Sequence, residues 1–535
     1  PLEIQRTVID VDYITEDEKP IIRLFKKQED SNKNCIDKDP DFEPYFYALP
    51  EENIKKALKE VKEIEGQRIK RIEKVGKSFL GNPIEAIKII ADHPQNVPDL
   101  RTEVKELETV KDVYESKIPF KRRYLIDKDV TPLEEDCNLK KLAFDIETFN
   151  DNILMASFAN EDYEKVISTK KIDEDYVEVL KNEEKILNRI QEIINKEDPD
   201  IIITYNGDEF DFPKLNGRCE ELEQEMKIGR DKSQVNVSYR GRKRRAKIKG
   251  RIHTDLYPIV RRNLDLPSYS LENVYENVLK EEKPDLEWKE MERIWGNEET
   301  LEMKKLAKYS LSDAKATYEI SEEFFPLQME MTRLIGQLTD EISRSSTGKH
   351  VEWLLLKKAY QKNELAPNKP EDNEYVERRR HSFIGGYVKE PKQGLHENII
   401  YLDFKSLYPS IIVEHNICPT TLEKTEEEPP HKFSQKEEGF IPEILKNLIK
   451  QRTKVKKQMN QLESSQQKYN RLNYRQRALK LLSNSYFGYL GYPAARWYSR
   501  ESAESVTAYG REYIDQTIKD IEDKGFDVLY ADTDG

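Results

Sequence analysis

The chain has 535 residues, enough at roughly 150 residues per domain for three or four domains. Its 89 Lys and Arg against 103 Asp and Glu leave a net charge of −14. That balance excludes a protein coated in positive charge, but not one whose positive charge is segregated. Cys35, Cys137, Cys219 and Cys418 lie far apart with no CxxC pair, which argues against a disulfide framework or zinc knuckle and for a reducing compartment. The N-terminus lacks the apolar core of a signal peptide, and no run approaches the roughly 18 apolar residues of a membrane span. A cytoplasmic protein is expected, and its wealth of Lys and Glu is in keeping with a thermophile.

In chain order, TVIDVDYIT, PIIRLF and PYFYAL read as strands, with a helix from Asn53 to Glu65. Near Lys140 the pattern changes. KKLAFDIET is an apolar strand, Glu183 to Lys196 has helical periodicity, and DPDIIITYNG is a buried strand stopped by Asn-Gly. Strands and helices alternating to about residue 325 predict an α/β domain, with a long helix from Glu298 to Glu323 ended by Pro326. NELAPNKPEDNE (363–374) is a candidate linker. Beyond it lie YVKEP and IIYLDFKSLYPSII, two basic helical segments and a final strand, DVLYADTDG.

Charge is unevenly spread. Eight basic residues and no acid lie between Tyr239 and Arg251, among them Arg242, Arg244 and Arg245. From Lys450 to Lys480 ten basic residues meet one acid, Glu463. Two basic islands in an acidic chain fit polyanion contacts; each taken alone fits a solvated face equally well.

Asp145 and Glu147 sit two apart in an apolar strand, so their side chains leave one face. A lone pair of this kind means nothing in so acidic a chain, where about twenty would arise by chance. The surroundings matter more: paired carboxylates in a buried strand are costly without a cation. Asp211 follows the next buried strand, and Asp313 lies one helical turn after Tyr309. Four oxygen donors suit a pair of Mg²⁺ or Mn²⁺ ions about 4 Å apart, with Tyr309 orienting water or phosphate. On the residues alone, ordinary N-capping and turn carboxylates explain the four acids as well.

DIET, YNGDEFDFP and YSLSD occur in the order and spacing of the three exonuclease motifs of family B DNA polymerases, and the chain resembles the archaeal members. Asp145 and Glu147 match the first motif, Asn206, Phe210 and Asp211 the second, Tyr309 and Asp313 the third. The resemblance implies a ribonuclease H-like fold and 3′–5′ proofreading.

A second set of acids lies toward the end of the chain. Asp403 closes the strand IIYLD, and Asp532 and Asp534 follow DVLY, with Asp534-Gly535 suited to a hairpin turn. Facing strands would bring Asp403 and Asp534 together over two metal ions for attack by a primer 3′-hydroxyl. The segments resemble polymerase motifs A and C, which makes Asp403 and Asp534 the main ligands and Asp532 a secondary carboxylate. Tyr408, by itself most simply a core aromatic, matches the steric gate that excludes a 2′-hydroxyl. RALKLLSNSYFGY resembles motif B, with Lys480 and Asn484 at its signature positions, and Arg452 and Lys456 match the triphosphate-contacting pair on the opposing helix. The family's usual Tyr before the motif B glycine is Phe487 here, which removes a hydroxyl from the check on base-pair shape. FIGGY (383–387) resembles the linker motif that balances synthesis and editing; Phe383 replaces its usual Tyr, and Gly385 and Gly386 would let the backbone approach a DNA phosphate. DVDYITE, EPYFYA, DHPQNVP and IPFKRRYLID match the archaeal subgroup, whose template-uracil pocket would involve Tyr13, Pro44, Tyr45, Pro94, Val97 and Phe120.

The expected architecture is multidomain α/β and α+β: an N-terminal mixed domain (1–138, with 327–372 packing back on it), a ribonuclease H-like 3′–5′ exonuclease domain (139–326), a partial palm (373–441 and 491–535) and fingers (442–490), with the thumb absent. The resemblance implies a DNA-directed DNA polymerase with 3′–5′ exonuclease, using two Mg²⁺ per active site (or Mn²⁺), primer-template DNA and dNTPs, associated with the nucleoid. Ending inside the motif C turn, the sequence is read as the large part of a split polymerase: a second polypeptide would complete palm and thumb, as a heterodimer or through splicing, and would carry any sliding-clamp contact. The alternatives are an exonuclease whose polymerase half only holds DNA, and an inactive scaffold, against which the presence of all seven metal-site acids speaks.

Overall fold

The computed structural model describes residues 6–28, 33–64, 68–134, 137–241, 243–283, 286, 288–297, 300–426 and 428–533. Three antiparallel strands, Arg6–Glu16, Lys19–Gln28 and Asn34–Asp39, open the chain. A four-stranded sheet follows in the spatial order Ile69–Phe79, Asn82–Ala91, Tyr45–Pro50 and Val110–Tyr114. One face of it is covered by the helices Ile54–Lys62 and Val97–Lys105, which bury Ala57, Val61, Leu100 and Val104.

The central unit is a six-stranded sheet in the order Val177–Val179, Glu164–Ser168, Asn152–Ala159, Lys141–Phe149, Ile201–Thr204 and Ile252–Asp255. Lys141–Phe149 pairs antiparallel with its hairpin partner and parallel with Ile201–Thr204. That pairing satisfies both of its edges, and its two faces pack into separate clusters, Leu142, Phe144 and Ile146 in one and Ala143 in the other, which is why LAFDI is nearly continuous in apolar residues. The helix Glu183–Glu197 buries Ile186, Ile190, Ile193 and Ile194. The helix Thr300–Ile335 packs on Lys141–Phe149 and Asn152–Ala159.

That long helix departs from expectation, because it passes through Pro326 and does not stop there. Proline in a helix interior costs about 3 kcal/mol. Phe325, Leu327 and Met331 are buried around it, and their packing carries the helix onward.

Buried ion pairs join the first sheet to the central unit. Arg23 pairs with Asp12 at 2.6 Å and Asp231 at 2.8 Å, Lys27 with Asp200, and Lys247 with Asp10 at 2.7 Å and Asp340 at 3.1 Å. The Asn236–Arg240/Lys243–Lys247 hairpin therefore spends much of its charge internally: Arg245 also pairs with Asp340, at 2.9 Å. This qualifies the reading of the first basic island as a free polyanion surface.

The 363–374 stretch has little regular structure until the helix Asp372–Arg380, yet it is anchored. Leu365 and Ala366 are buried, and the Leu365 N–H donates to the Ser78 carbonyl at 2.7 Å. In the last third, Phe440–Met459 and Gln467–Leu490 form a helical pair, and Leu407–Glu414 packs against Arg500–Glu522.

The expected strands IIYLD and DVLY are absent from the described structure. Residues 399–403 and 527–530 form neither helix nor strand, and Ile399, Ile400, Tyr401 and Leu402 are exposed. What forms instead is a two-residue pairing of Val388–Lys389 with Ala531–Asp532. The physical reason is that an apolar run becomes a strand only where ladder partners and packing on its faces exist. Among the described residues the 399–403 run has no ladder partner.

Candidate active site

The hairpin Lys141–Phe149/Asn152–Ala159 carries Asp145 opposite Ser157 and Glu147 opposite Met155, with a bulge just after Glu147. The helix Thr300–Ile335 lays Tyr309 and Asp313 across it. Asp145, Glu147 and Asp313 each offer a carboxylate oxygen, and the three oxygens lie within 4.8 Å of one another. Asp211 joins them from the first turn of the helix Asp211–Glu221. The backbone N–H of Ile146, between the two strand acids, bonds its carboxylate.

Burial is the dominant electrostatic fact here. It raises Asp145 well above the usual carboxylate range, with the Asp211 and Glu147 charges adding to it, and pushes Glu147 and Asp211 each up to about 8. Asp313 reaches only about 6, because Lys283 faces it. Burial also raises Tyr309, next to the Asp313 charge.

Lys283 is the residue that sequence reasoning missed. It is buried, its ammonium contacts Asp313, lies 3.4 Å from Glu272 and stands 4.6 Å over the Tyr309 ring. Nothing in KEEKPDL sets this lysine apart from its many neighbours; only the fold brings it to the acids.

The loop before Asp211 is built on a second polar cluster. Asn206 takes the left-handed conformation at φ +67°. Asp255 accepts from the Asn206 and Asp208 N–H groups at 2.8 and 3.1 Å. Arg344 donates to both oxygens of Asp208, at 2.5 and 3.0 Å, and lies 2.7 Å from His253 Nδ1, while His253 Nε2 is 2.9 Å from Thr204 Oγ1. A Cβ on Gly207 would fall 2.3 Å from that same Thr204 oxygen, so glycine is required by close approach.

The donor set fits hard divalent cations. All four ligand candidates are carboxylates, and Glu147 Oε1 and Asp211 Oδ1 are buried with no hydrogen-bond partner among the described residues.

In the other half, Tyr408 begins the helix Leu407–Glu414 after Ser406 at φ +56°. Its ring lies 4.4 Å from that of Phe487 and packs over Gly510. A Cβ on Gly386 would sit 2.8 Å from the Tyr408 hydroxyl, so this glycine is needed by packing, whereas Gly385 faces open space. Arg452 and Lys456 line a cleft of about 330 Å³ with Lys405 and Lys457, and among the described residues no acid lines it. Arg452 donates to Ser406 Oγ at 3.3 Å. Lys480 and Asn484 are exposed on the facing helix, either side of Ser483, which lines the same cleft. Asp403 is exposed and outside any strand. Asp532 accepts from Thr533 Oγ1 at 2.8 Å, while Asp534 and Arg242 lie outside the described residues. Arg244 is tied to Tyr239 within its hairpin and to Glu209 in the loop before Asp211.

Of the six uracil-pocket candidates, Tyr13 and Phe120 meet edge to face at 5.4 Å. Val97 packs with a different cluster, and Tyr45 with a third, its hydroxyl donating to Asp127 at 2.6 Å. Pro44 accepts from the Ala91 N–H and Pro94 opens a short 3-10 turn.

A cluster of acids on a mixed sheet is thus joined to a helical unit with a cationic cleft. The family model for DNA polymerase family B matches residues 342–535, and that for the DNA polymerase family B exonuclease domain matches residues 133–274. The DNA polymerase of Thermococcus gorgonarius is 49% identical over 99% of this chain and 70% of its own length, and DNA polymerase 1 of Pyrococcus abyssi (strain GE5 / Orsay) is 48% identical over the same shares. The structure of the family B DNA polymerase from Pyrobaculum calidifontis superposes with a TM-score of 0.86 at 28% identity, covering 99% of this chain and 74% of that one. The chain belongs to DNA polymerase family B, and it is a DNA polymerase with an exonuclease domain. Enzymes of this family use divalent metals, and among the described residues no helix is long and apolar enough to cross a membrane.

Proposed function

We propose that the exonuclease unit removes mispaired 3′-terminal nucleotides and that the C-terminal half adds dNMP to a primer 3′-hydroxyl. The observation that carries the first part is the set of three carboxylate oxygens, from half-buried Asp145 and Glu147 and buried Asp313, within 4.8 Å of one another. Asp145, Glu147, Asp211 and Asp313 would hold two divalent ions, with Mg²⁺ the expected species. When bound, such ions lower the pKa of an attacking water and offset charge on the reacting phosphate. Water forms a bond to the terminal phosphorus, the bond to the preceding 3′ oxygen breaks, and dNMP leaves. Tyr309 orients the phosphate from one side. The Lys283 ammonium limits the repulsion among the acids that would otherwise keep them protonated.

In the polymerase half, Asp403 and Asp534 are the proposed metal ligands, with Asp532 a secondary catalytic carboxylate. Tyr408 bars a 2′-hydroxyl, and Arg452, Lys456, Lys480 and Asn484 hold the triphosphate. The cationic cleft, free of acids among the described residues, supports this assignment. Gly385, Arg244 and Arg242 are proposed DNA contacts, with Gly386 setting the position of Tyr408; Arg245, paired with Asp340, is not among them. Template uracil captured at Tyr13 and Phe120 would stall extension several bases upstream; smooth read-through on uracil template rejects that part.

A second reading, a nuclease whose polymerase half only holds DNA, is favoured by the exposure of Asp403 outside any strand. One experiment separates the two. Primer extension and 3′-end degradation are measured for the chain alone and with the C-terminal segment of a relative added in trans. Asp403→Ala should abolish synthesis and spare degradation, and Asp211→Ala the reverse. Synthesis that survives Asp403→Ala rejects the polymerase assignment. Synthesis in no preparation selects the nuclease reading. Dependence on the added segment assigns synthesis to the C-terminal half acting together with that segment.

A further inference from the structure

A cavity of about 220 Å³ lies where three parts of the chain meet: the Lys117–Pro119 turn, the helix Thr347–Gln361 and Arg496 beyond the basic helix. None of its lining residues is assigned a role above, although Pro119 precedes Phe120 of the uracil-pocket candidates. Five cations line it, Lys117, Arg122, Lys349, Lys369 and Arg496, against one acid, Glu352. Lys349 donates to Glu352 Oε1 at 3.0 Å, Lys369 stands 3.3 Å from the same oxygen, and Arg496 Nε lies 4.0 Å away. Three cations thus share one carboxylate, and their charge keeps Glu352 ionised. Arg122 pairs with Glu341 outside the cavity and lies 4.4 Å over the Trp353 ring. After these pairings the cavity keeps an excess of positive charge.

A second observation points to a ligand. Gln337, only 1% exposed, lines the cavity, and neither its Oε1 nor its Nε2 has a hydrogen-bond partner among the described residues. A buried amide left wholly unpaired costs free energy that a bound polar group would recover. The volume is below the usual range for a whole organic ligand and suits one small anionic group. Burial also depresses Lys349 to about 8, as expected for cations crowded without enough counter-charge.

We propose that this cavity binds a phosphate group, presented either as free phosphate or by the backbone of a single-stranded nucleic acid. Lys349, Lys369 and Arg496 would supply the charge on the side away from Glu352, and the Gln337 amide would donate to a phosphate oxygen.

The test is equilibrium dialysis with labelled inorganic phosphate, ionic strength being held constant with chloride. Wild type should take up one phosphate per chain. Lys369→Gln, at a half-exposed position, and Gln337→Met, which removes both unpaired polar atoms while keeping an unbranched side chain of similar length, should each weaken uptake about tenfold or more. Thermal melting verifies that both variants fold. No saturable uptake by wild type, or wild-type uptake by both variants, overturns the proposal. A competition arm identifies the source: if phosphate displaces a fluorescent oligothymidylate and Lys369→Gln lowers its salt slope by about one, the strand backbone is the ligand. If the oligonucleotide is unaffected while phosphate binds, the site serves a free phosphate.

Discussion

Phe383 and Phe487 meet edge to face with ring centroids 6.4 Å apart. Phe487 is in turn stacked at a tilt on Tyr408. The two phenyl rings therefore belong to one aromatic row that ends on the proposed steric gate. The row is apolar apart from the Tyr408 hydroxyl, whose position is set by packing against Gly386.

The first prediction concerns that hydroxyl. Gly386→Ala places a methyl 2.8 Å from Tyr408 Oη and must displace the ring. In the preparation that extends primers, Tyr408→Ala should raise ribonucleotide incorporation relative to deoxyribonucleotide by at least about tenfold, since a steric barrier is removed outright. Gly386→Ala should raise it by a smaller factor without touching substrate. Unchanged discrimination in Tyr408→Ala would show that another group reads the sugar.

Lys283 gives a second. Its ammonium is the buried cation among the exonuclease acids, so Lys283→Met leaves Asp313 and Glu272 without it. Residues that support metal-binding carboxylates typically matter by about 10–100-fold. Degradation of a 3′ end should fall by that amount in Lys283→Met, while Asp403-dependent synthesis stays level. A nuclease rate equal to wild type would reduce Lys283 to a packing residue.

The loop that presents Asp211 gives a third. Thr204 cannot yield to a methyl on Gly207, because it is buried and bonded to His253. Gly207→Ala should cost about 1–3 kcal/mol from overpacking and should reduce exonuclease far more than synthesis. Calorimetric melting and 3′-end degradation on the same preparation check both effects. A variant as stable and active as wild type would mean that the loop shifts freely.

His253 supplies a pH dependence. Burial lowers it to about 4 from the ordinary 6.5; Arg344 adds to this and Asp208 opposes it, with Asp340 also facing the ring. Below 6.5 the unfolded chain takes up a proton that the folded chain refuses until about 4. The neutral imidazole's contribution is therefore whole above 6.5 and lost as pH falls toward 4. Asp255, raised to about 6 by burial, works in the opposite direction over part of the same window. The clean observable is thus the difference between wild type and His253→Asn. That difference should shrink by about 2 kcal/mol between pH 7.5 and pH 5 in denaturant titrations. A difference independent of pH would refute the buried neutral histidine.

What the sequence determined by itself was the chemistry that is local in kind. Asp145-Ile-Glu147 in an apolar strand, Asn206-Gly207 ending another, and Tyr309 one turn before Asp313 each announce their geometry through a fixed period of two or 3.6 residues. The basic helices are legible for the same reason, since a stripe on a helix follows from spacing alone. The tertiary structure decided what depends on a distant partner. Lys283 could not be told from other lysines until the fold set it against Asp313. Lys247 and Arg245 looked free until Asp10 and Asp340 were found beneath them. Pro326 looked like a stop until burial of its neighbours outweighed the lost hydrogen bond. The run at 399–402 looked like a strand because its residues are apolar, but a strand exists only where another strand and a covering face meet it. Periodicity is written into neighbouring residues; a partner hundreds of positions away is not, and there folding alone brings charge to charge.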